Sequence, residues 1–470
     1  MRFMKKFGTL ICLVGIILLS IALSSLSMAG TLTVWAPAWE NPESPTLIGW
    51  GFKYALQKFR ELHPDIQVKW EVQVAGAGVT PTDMQKLMTA VAAGTGPDVT
   101  ILNRFMTVEW AARGAIQPLD QFFKKDSIVF DKTVYYPGAW EASFYEDKLY
   151  TIPNNGDNVG YWSLYYNRTL FKEAGLDPNK PPTTWSKLTE YAEKLTKTDA
   201  EGRIIQLGYR PYPDWTGEAQ GYVRTIKLKY PFTSEDGKTA TLNAPHVIQT
   251  LEFIKKNIDA QGGIEKVSRF LSGIQPGALE PFLNNKVGMY HMGEWFLWDT
   301  AQYAPKLDFG VTFLPTPTGK NFAAWTAGWS WAIPKGAKNT KDAAVLLEFL
   351  ASKDFADAFI KGALAYGKEM KRLVVLPGAL YFVYNDLASR YNLPAVMRES
   401  PSTYKALRHF MTAKERAKSA HLEATIGASE IWASVTRAIE AMLYKNIPPK
   451  QALDEENIKI QKVLDEFYKK

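Results

Sequence analysis

The sequence predicts an α/β protein built as two domains. Residues 31–74 read as strand, helix, strand, the unit from which parallel sheets are made. Residues 93–120, AGTGPDVTILNRFMTVEWAARGAIQPLD, read as helix end, glycine turn, short strand, loop and helix. About 440 of the 470 residues remain after an N-terminal apolar stretch, more than one typical core holds.

In that first stretch, Arg2, Lys5 and Lys6 precede a mostly apolar run from Phe7 to Leu26, and Ser27-Met28-Ala29 follows. This is the pattern of a secretory signal peptide, residues 1–29, cleaved after Ala29. Cys12, the single cysteine, lies inside it behind Ile11, where a lipoprotein signal needs a small residue. A periplasmic protein with no lipid anchor, no disulfide and no thiolate metal site is therefore expected. Residues 1–29 hold three of the 55 basic residues and none of the 48 acidic ones, so the remainder carries 52 against 48, a net +4. So mild a charge, with no basic-aromatic block, does not point to nucleic acid. No later run of about 18 apolar residues could span a membrane. The 15 Trp and 22 Tyr are many, and not all need be core.

Thr31 to Ala36 is the first strand and runs into a proline-rich loop carrying Trp39, Glu40 and Asn41. Phe52, Ala55, Leu56, Phe59 and Leu62 then mark the buried stripe of a helix that Pro64 ends. Ile66, Val68, Trp70, Val72 and Val74 alternate with polar residues as a half-buried strand does. A helix with Met84, Leu87, Met88 and Val91 leads to the buried strand Val99, Ile101, Leu102. Ligands of open α/β sheets bind beyond strand ends, which places Asp98, Asn103 and Arg104 near a cleft. Asp98 could equally cap a local turn. Farther on, Trp162, Leu164 and Tyr166 share one strand face and Ser163, Tyr165 and Asn167 the other. Thr184 caps a helix buried through Leu188, Tyr191, Ala192 and Leu195. Residues 203–243 read as irregular, with Tyr212, Asp214 and Trp215 in a proline-flanked loop. The remaining elements are a helix with Val247, Ile248, Leu251 and Ile254, a strand after Gly328 with Trp329 and Trp331 on one face, and a helix starting near Lys341. C-terminal helices carry Ile431, Trp432, Val435 and Ile439, then Ile460, Leu464 and Phe467.

Several stretches, in order, carry a family likeness: FRELHPDIQVKWEV, GTGPDV with AARGAIQPLD, EDKLYTIPNNGDNVGYWSLYYNRTLFKEAGL, FLNNKVGMYHMGEW and WTAGWSWAIPKGAKNTKDAAVLLEFL. Together they strongly resemble the sugar-binding proteins of ABC importers, the group around maltose-binding protein. The resemblance covers nearly all of the chain after residue 29. It implies a two-lobe periplasmic binding protein fold (type II-like), with a ligand cleft between lobes joined by two or three hinge crossings. The expected division is 30–150 and 313–370 for the first lobe, 151–312 and 371–470 for the second. Between Lys361 and Arg390 the chain departs from the family pattern before Leu393-Pro394-Ala395, so an insertion near 361–390 is expected.

Signals of catalysis are thin. The five histidines, His63, His246, His291, His409 and His421, form no i, i+4 pair, and no nucleophile elbow or P-loop is present. No cofactor, no metal and no catalytic residue are expected. The chemistry of a sugar, an apolar ring face edged with hydroxyls, suits aromatic platforms and convergent polar groups in an interdomain cleft. By the resemblance, Trp39, Trp295 and Trp329 are platform candidates, with Trp215 as a weaker one and Trp331 better read as core. Asp98, Asn103, Arg104, Asn154, Tyr165 and Arg398 are the polar candidates, with Asp157, Asp214 and Glu294 in reserve. The resemblance implies hinge closure on a carbohydrate, an oligosaccharide given the aromatics. The closed form would dock as a monomer on membrane permease subunits served by separate ATPase subunits. The alternatives are a same-fold receptor for a polyamine or ferric ion, and a secreted carbohydrate-active enzyme.

Overall fold

The computed structural model describes residues 30–73, 81–135, 137–154, 162–275, 277–320, 328–377, 392–417 and 424–469. The leader 1–29, Val74, Asp157, His421 and residues 378–390 of the expected insertion lie outside them. The first strands are β1 (Gly30–Pro37), β2 (Ile66–Gln73), β3 (Val99–Asn103), the hairpin β4 (Phe144–Tyr145) and β5 (Lys148–Leu149), and β6 (Ile152–Pro153). They are followed by β7 (Ser163–Asn167), β8 (Lys197–Thr198), β9 (Ile204–Arg210), β10 (Val287–Met292), β11 (Phe309–Phe313) and β12 (Trp329–Ala332).

Two five-stranded sheets result, β2-β1-β3-β12-β6 and β11-β7-β10-β9-β8. In the first, β1, β2 and β3 are parallel, β12 runs against β3, and β6 runs against β12. The carboxyl ends of β1, β3 and β6 therefore share one edge with the amino end of β12. In the second, β9 and β10 are parallel, and β7 runs against both β10 and β11. The carboxyl ends of β9, β10 and β11 thus share an edge with the amino end of β7. The chain passes from β6 to β7 and from β11 to β12. Each passage leaves one of these edges and enters the other, so the two edges face each other. That topology makes two lobes with a cleft between them.

Each lobe has an aromatic core. In the first, helices Leu47–Leu62 and Lys353–Glu369 cover the sheet, and Phe52 meets Phe355 and Phe359 with ring centroids 5.7 Å apart. Trp331 is buried against Phe52 and Trp70. In the second, Trp185 stacks on Phe253 at 4.4 Å. Thr184 caps helix Trp185–Leu195 by accepting from the Lys187 amide at 3.2 Å, as its side chain and position predict. No helix among the described residues is long and apolar enough to cross a membrane.

Several expectations change. Residues 203–243 are irregular only in part: they supply β9 and helix Trp215–Val223, because Leu207 and Tyr209 bury against the second sheet's helices. Leu62 and Val72 are exposed, since the helix stripe ends a turn earlier and β2 lies at the sheet edge. Because β6 pairs with β12, the first crossing follows residue 154 rather than 150. Residues 361–369, where the chain is expected to depart from the family pattern, complete helix Lys353–Glu369, with Ala363 and Tyr366 buried. Behind the crossings, helix Ala428–Lys445 touches both lobes. Trp432 stacks on Phe105 of the first lobe at 5.0 Å, and the Ser429 amide and hydroxyl donate to Glu109. On the other side, the Thr216 hydroxyl of the second lobe donates to the Trp432 carbonyl at 2.8 Å.

Candidate functional site between the lobes

At the first-lobe edge, β1 ends in a short 3-10 turn, Ala38–Glu40, that carries Trp39 outward with 43% of its surface exposed. β12 begins opposite it. The Trp39 and Trp329 rings meet edge-on, with centroids 5.3 Å apart. Asn103 stands beside Trp329 in the β3–β12 register, and on the other side the Asn154 amide donates to the Trp329 carbonyl at 3.0 Å. Asn154 Nδ2 in turn donates to Glu40 Oε1 at 2.8 Å. Arg104 donates from Nη2 to the Trp329 carbonyl and from Nε to Ser330 Oγ, at 3.2 and 3.3 Å. Its guanidinium thereby ties β3 to β12 and sets the height of Trp329. Asn103 Oδ1 is buried with no hydrogen-bond partner among the described residues, an acceptor available to a hydroxyl. Thus Trp39, Asn103, Arg104, Asn154 and Trp329, drawn from four separate segments, lie along one edge.

The second-lobe edge is also aromatic. Trp162 and Tyr212 are 4.8 Å apart, and Trp295 stands 6.4 Å from Tyr212, nearly perpendicular to it. The Tyr212 loop is held by Glu218, whose buried carboxylate accepts from the Tyr212 amide at 2.8 Å and the Tyr209 hydroxyl at 2.6 Å. His291 Nδ1 lies 2.6 Å from the same carboxylate. Asp214 caps helix Trp215–Val223 through the Gly217 amide; its surface stays exposed, but desolvation by the surrounding protein raises its pKa from the ordinary value. Trp215 opens that helix just past the carboxyl end of β9, so it reaches this edge partly buried. Trp295 folds back over Gly293, where a Cβ would lie 2.0 Å from its ring; only glycine admits that turn.

Three candidates are not cleft contacts. Tyr165 is fully buried among Phe282, Phe296, Phe309 and Phe410, and its hydroxyl donates to the Gly293 carbonyl at 2.9 Å. It is a strut under the Trp295 turn, because β7 lies between β10 and β11 and both its faces are covered. Desolvation also raises its phenol pKa well above the usual value. Asp98 lies at the amino end of β3, the edge away from the cleft. It accepts from the amides of Thr33, Lys338 and Asn339 and from Asn339 Nδ2, at 2.9 to 3.2 Å, and so pins three segments together. Arg398 sits on the exposed face of helix Leu393–Glu399, where its guanidinium meets Glu399 at 3.4 Å and the Pro394 carbonyl of its own helix. The sequence does not single out Glu40 or Trp162 for the site, and it marks Tyr212 only as an aromatic of a proline-flanked loop, as suited to packing as to binding. For Glu40 the only signal was its place in the proline-rich loop after β1. Among the described residues no group of three or more His, Cys, Asp or Glu side chains could hold a metal ion.

Two lobes facing across such a cleft define a receptor that encloses a small solute. The family model of the bacterial extracellular solute-binding proteins matches residues 45–357, and the chain belongs to that family. It is 27% identical over 353 residues to the sn-glycerol-3-phosphate-binding periplasmic protein of Shigella dysenteriae, covering 72% of this chain and 75% of that one. Among solved structures it is similar to a protein titled CpMnBP1, with mannotriose bound. The two share 26% identity with a TM-score of 0.70, over 92% of this chain and 99% of that one. The fold also matches a maltotriose-bound maltodextrin-binding domain from Bdellovibrio bacteriovorus, at 19% identity and TM-score 0.63, over 92% and 99% of the two chains.

Proposed function

We propose that this protein is a carbohydrate receptor that captures a short oligosaccharide between its lobes and delivers it to the permease of an ABC importer. The observation that carries the reading is the pairing of edges: Trp39 and Trp329 on one side, Trp295, Tyr212 and Trp162 on the other, each set interleaved with buried polar groups. Rings take the C–H faces of a sugar; Asn103, Asn154 and Glu40 take hydroxyls. The mannotriose bound by the relative of 26% identity supports the same ligand class. Ligand touching both edges favours the closed arrangement over the open one, with the two crossings and helix Ala428–Lys445 as the hinge. The protein binds without turnover and acts as a periplasmic monomer, and the ATPase belongs to other chains.

Thermal melting of residues 30–470 against mannobiose, mannotriose, maltotriose and sn-glycerol 3-phosphate tests this. A ligand at 100 times its Kd adds about 2.7 kcal/mol and raises the midpoint visibly. A rise with a saccharide that is recovered unchanged is the expected result. A rise with sn-glycerol 3-phosphate alone would overturn the carbohydrate reading, and release of reducing ends would overturn the receptor reading.

A further inference from the structure

Helix Phe296–Tyr303 starts directly after Trp295, and Asp299 lies one turn along it, four residues from Trp295 and on the same face. The next residues on that face reach the first lobe. The Tyr366 hydroxyl donates to Gln302 Oε1 at 3.0 Å, and Arg372 Nη1 donates to the Tyr303 hydroxyl at 3.0 Å. Asp299 therefore stands at the boundary between the lobes, between a candidate sugar platform and a lobe-to-lobe contact.

Its surroundings do not suit a structural carboxylate. Asp299 is half-buried and, among the described residues, no donor hydrogen-bonds its carboxylate; desolvation first, and then the neighbouring Glu280, disfavour its charge. Among the described residues the neighbouring cations are engaged elsewhere: Arg210 is ion-paired with Glu280 and stacked over the Tyr290 ring at 4.3 Å, and Arg372 lies over the Tyr303 ring at 4.6 Å and donates to its hydroxyl. The other titratable groups that feel Asp299 are the phenols of Tyr165, Tyr290 and Tyr366, none of which is a cation. Desolvation, with Glu280 second, holds the Asp299 pKa up at about 6. A partly buried carboxylate lacking donors is costly unless something else supplies them. Sugar hydroxyls are such donors, and their bonds to a carboxylate are charge-assisted. A phosphate dianion would instead meet the like charge of the Asp299 carboxylate, with Arg210 already taken by Glu280.

We infer that Asp299 is a ligand-contacting, specificity-determining residue that accepts hydroxyl hydrogens from a neutral sugar ring resting on Trp295 and turns phosphate esters away. The inference rests on the carbohydrate reading and narrows it to uncharged saccharides. A rival role is helix-dipole compensation, since Asp299 lies in the first helical turn.

Calorimetric titration of wild type, Asp299→Asn and Asp299→Leu with mannotriose and with sn-glycerol 3-phosphate separates these, alongside ligand-free melting at pH 8. Wild type should bind mannotriose and not sn-glycerol 3-phosphate. Asp299→Asn should lose about tenfold in mannotriose affinity and Asp299→Leu more, the range of a charge-assisted hydrogen bond. Ligand-free Asp299→Asn should melt no lower than wild type, because the substitution removes a desolvated charge. Variants that bind mannotriose within twofold of wild type would overturn the inference and leave the carbohydrate reading standing. So would an Asp299→Asn variant that melts lower with its affinity intact, the signature of a helix-dipole role. Wild type binding sn-glycerol 3-phosphate in preference to every saccharide would overturn both.

Discussion

Replacing Tyr165 by Phe separates a strut from a ligand contact. The substitution deletes one oxygen and keeps the ring, so packing against Phe282, Phe296 and Phe309 is retained. What goes is the 2.9 Å bond to the Gly293 carbonyl, in a site with no exposure. A hydrogen bond between neutral groups contributes about 1 kcal/mol net, and leaving a buried acceptor unsatisfied costs about 1–3 kcal/mol. Those are overlapping descriptions of one loss, so the expected destabilisation is about 1–2 kcal/mol. Urea unfolding should show a lower midpoint at unchanged slope, which marks a stability change rather than a change in compactness. Saccharide affinity should fall only a few-fold, through loosening of the Trp295 turn. Unchanged stability with affinity lost more than tenfold would refute the placement of Tyr165 in the core.

Two further predictions concern buried carboxylates. Asp98→Ala removes the acceptor of three backbone amides and one side-chain amide that join β1, β3 and the 338–339 turn, and should cost about 3–5 kcal/mol. A denaturation midpoint within experimental error of wild type would contradict this, and ligand binding by the folded fraction should be unaffected. Asp299 gives a pH dependence of defined sign. Its folded pKa of about 6 lies above the unfolded value of about 3.8, so the folded state binds the extra proton. Its contribution should therefore weaken the ligand-free protein as pH rises from about 4 to 6 and stay flat above. The full shift corresponds to about 3 kcal/mol, and partial exposure reduces that to about 1–2 kcal/mol. Asp299→Asn should remove this slope, so the difference between the wild-type and variant stability curves isolates it; parallel curves would contradict the assignment.

Much of the fold was legible because it is written in local periodicity. Alternation in β2, the stripe Phe52, Ala55, Leu56, Phe59, and the bounded run Val99, Ile101, Leu102 each state which side is buried. The failures come from non-local information. Alternation gave Tyr165 a face but could not say that β7 would lie between β10 and β11, with both faces covered. The strand-end rule holds for Asn103 and Arg104, at the carboxyl end of β3, and not for Asp98, which precedes the strand and fastens the opposite edge. β9 was hidden by the prolines and loop residues after it, although Leu207 and Tyr209 carried its buried side. Trp39 and Trp329 could be singled out separately, yet their contact across 290 positions is a product of strand order. Glu40 shows the same limit, since its partner Asn154 is 114 residues away. Nothing in the sequence singles out Asp299; its four-residue spacing from Trp295 acquires meaning only because Gln302 and Tyr303 reach the first lobe.

The most direct test of binding between the lobes is calorimetric titration of Trp39→Ala and Trp295→Ala, one substitution on each edge, with the saccharide that raises the melting temperature most. Each truncation removes a platform, and the aromatic contribution to such a site is about 1–3 kcal/mol by analogy with base stacking, or roughly tenfold in affinity. Both variants should lose at least that much while melting like wild type without ligand. Loss confined to one lobe's tryptophan, or to neither, would contradict a ligand held between the two edges.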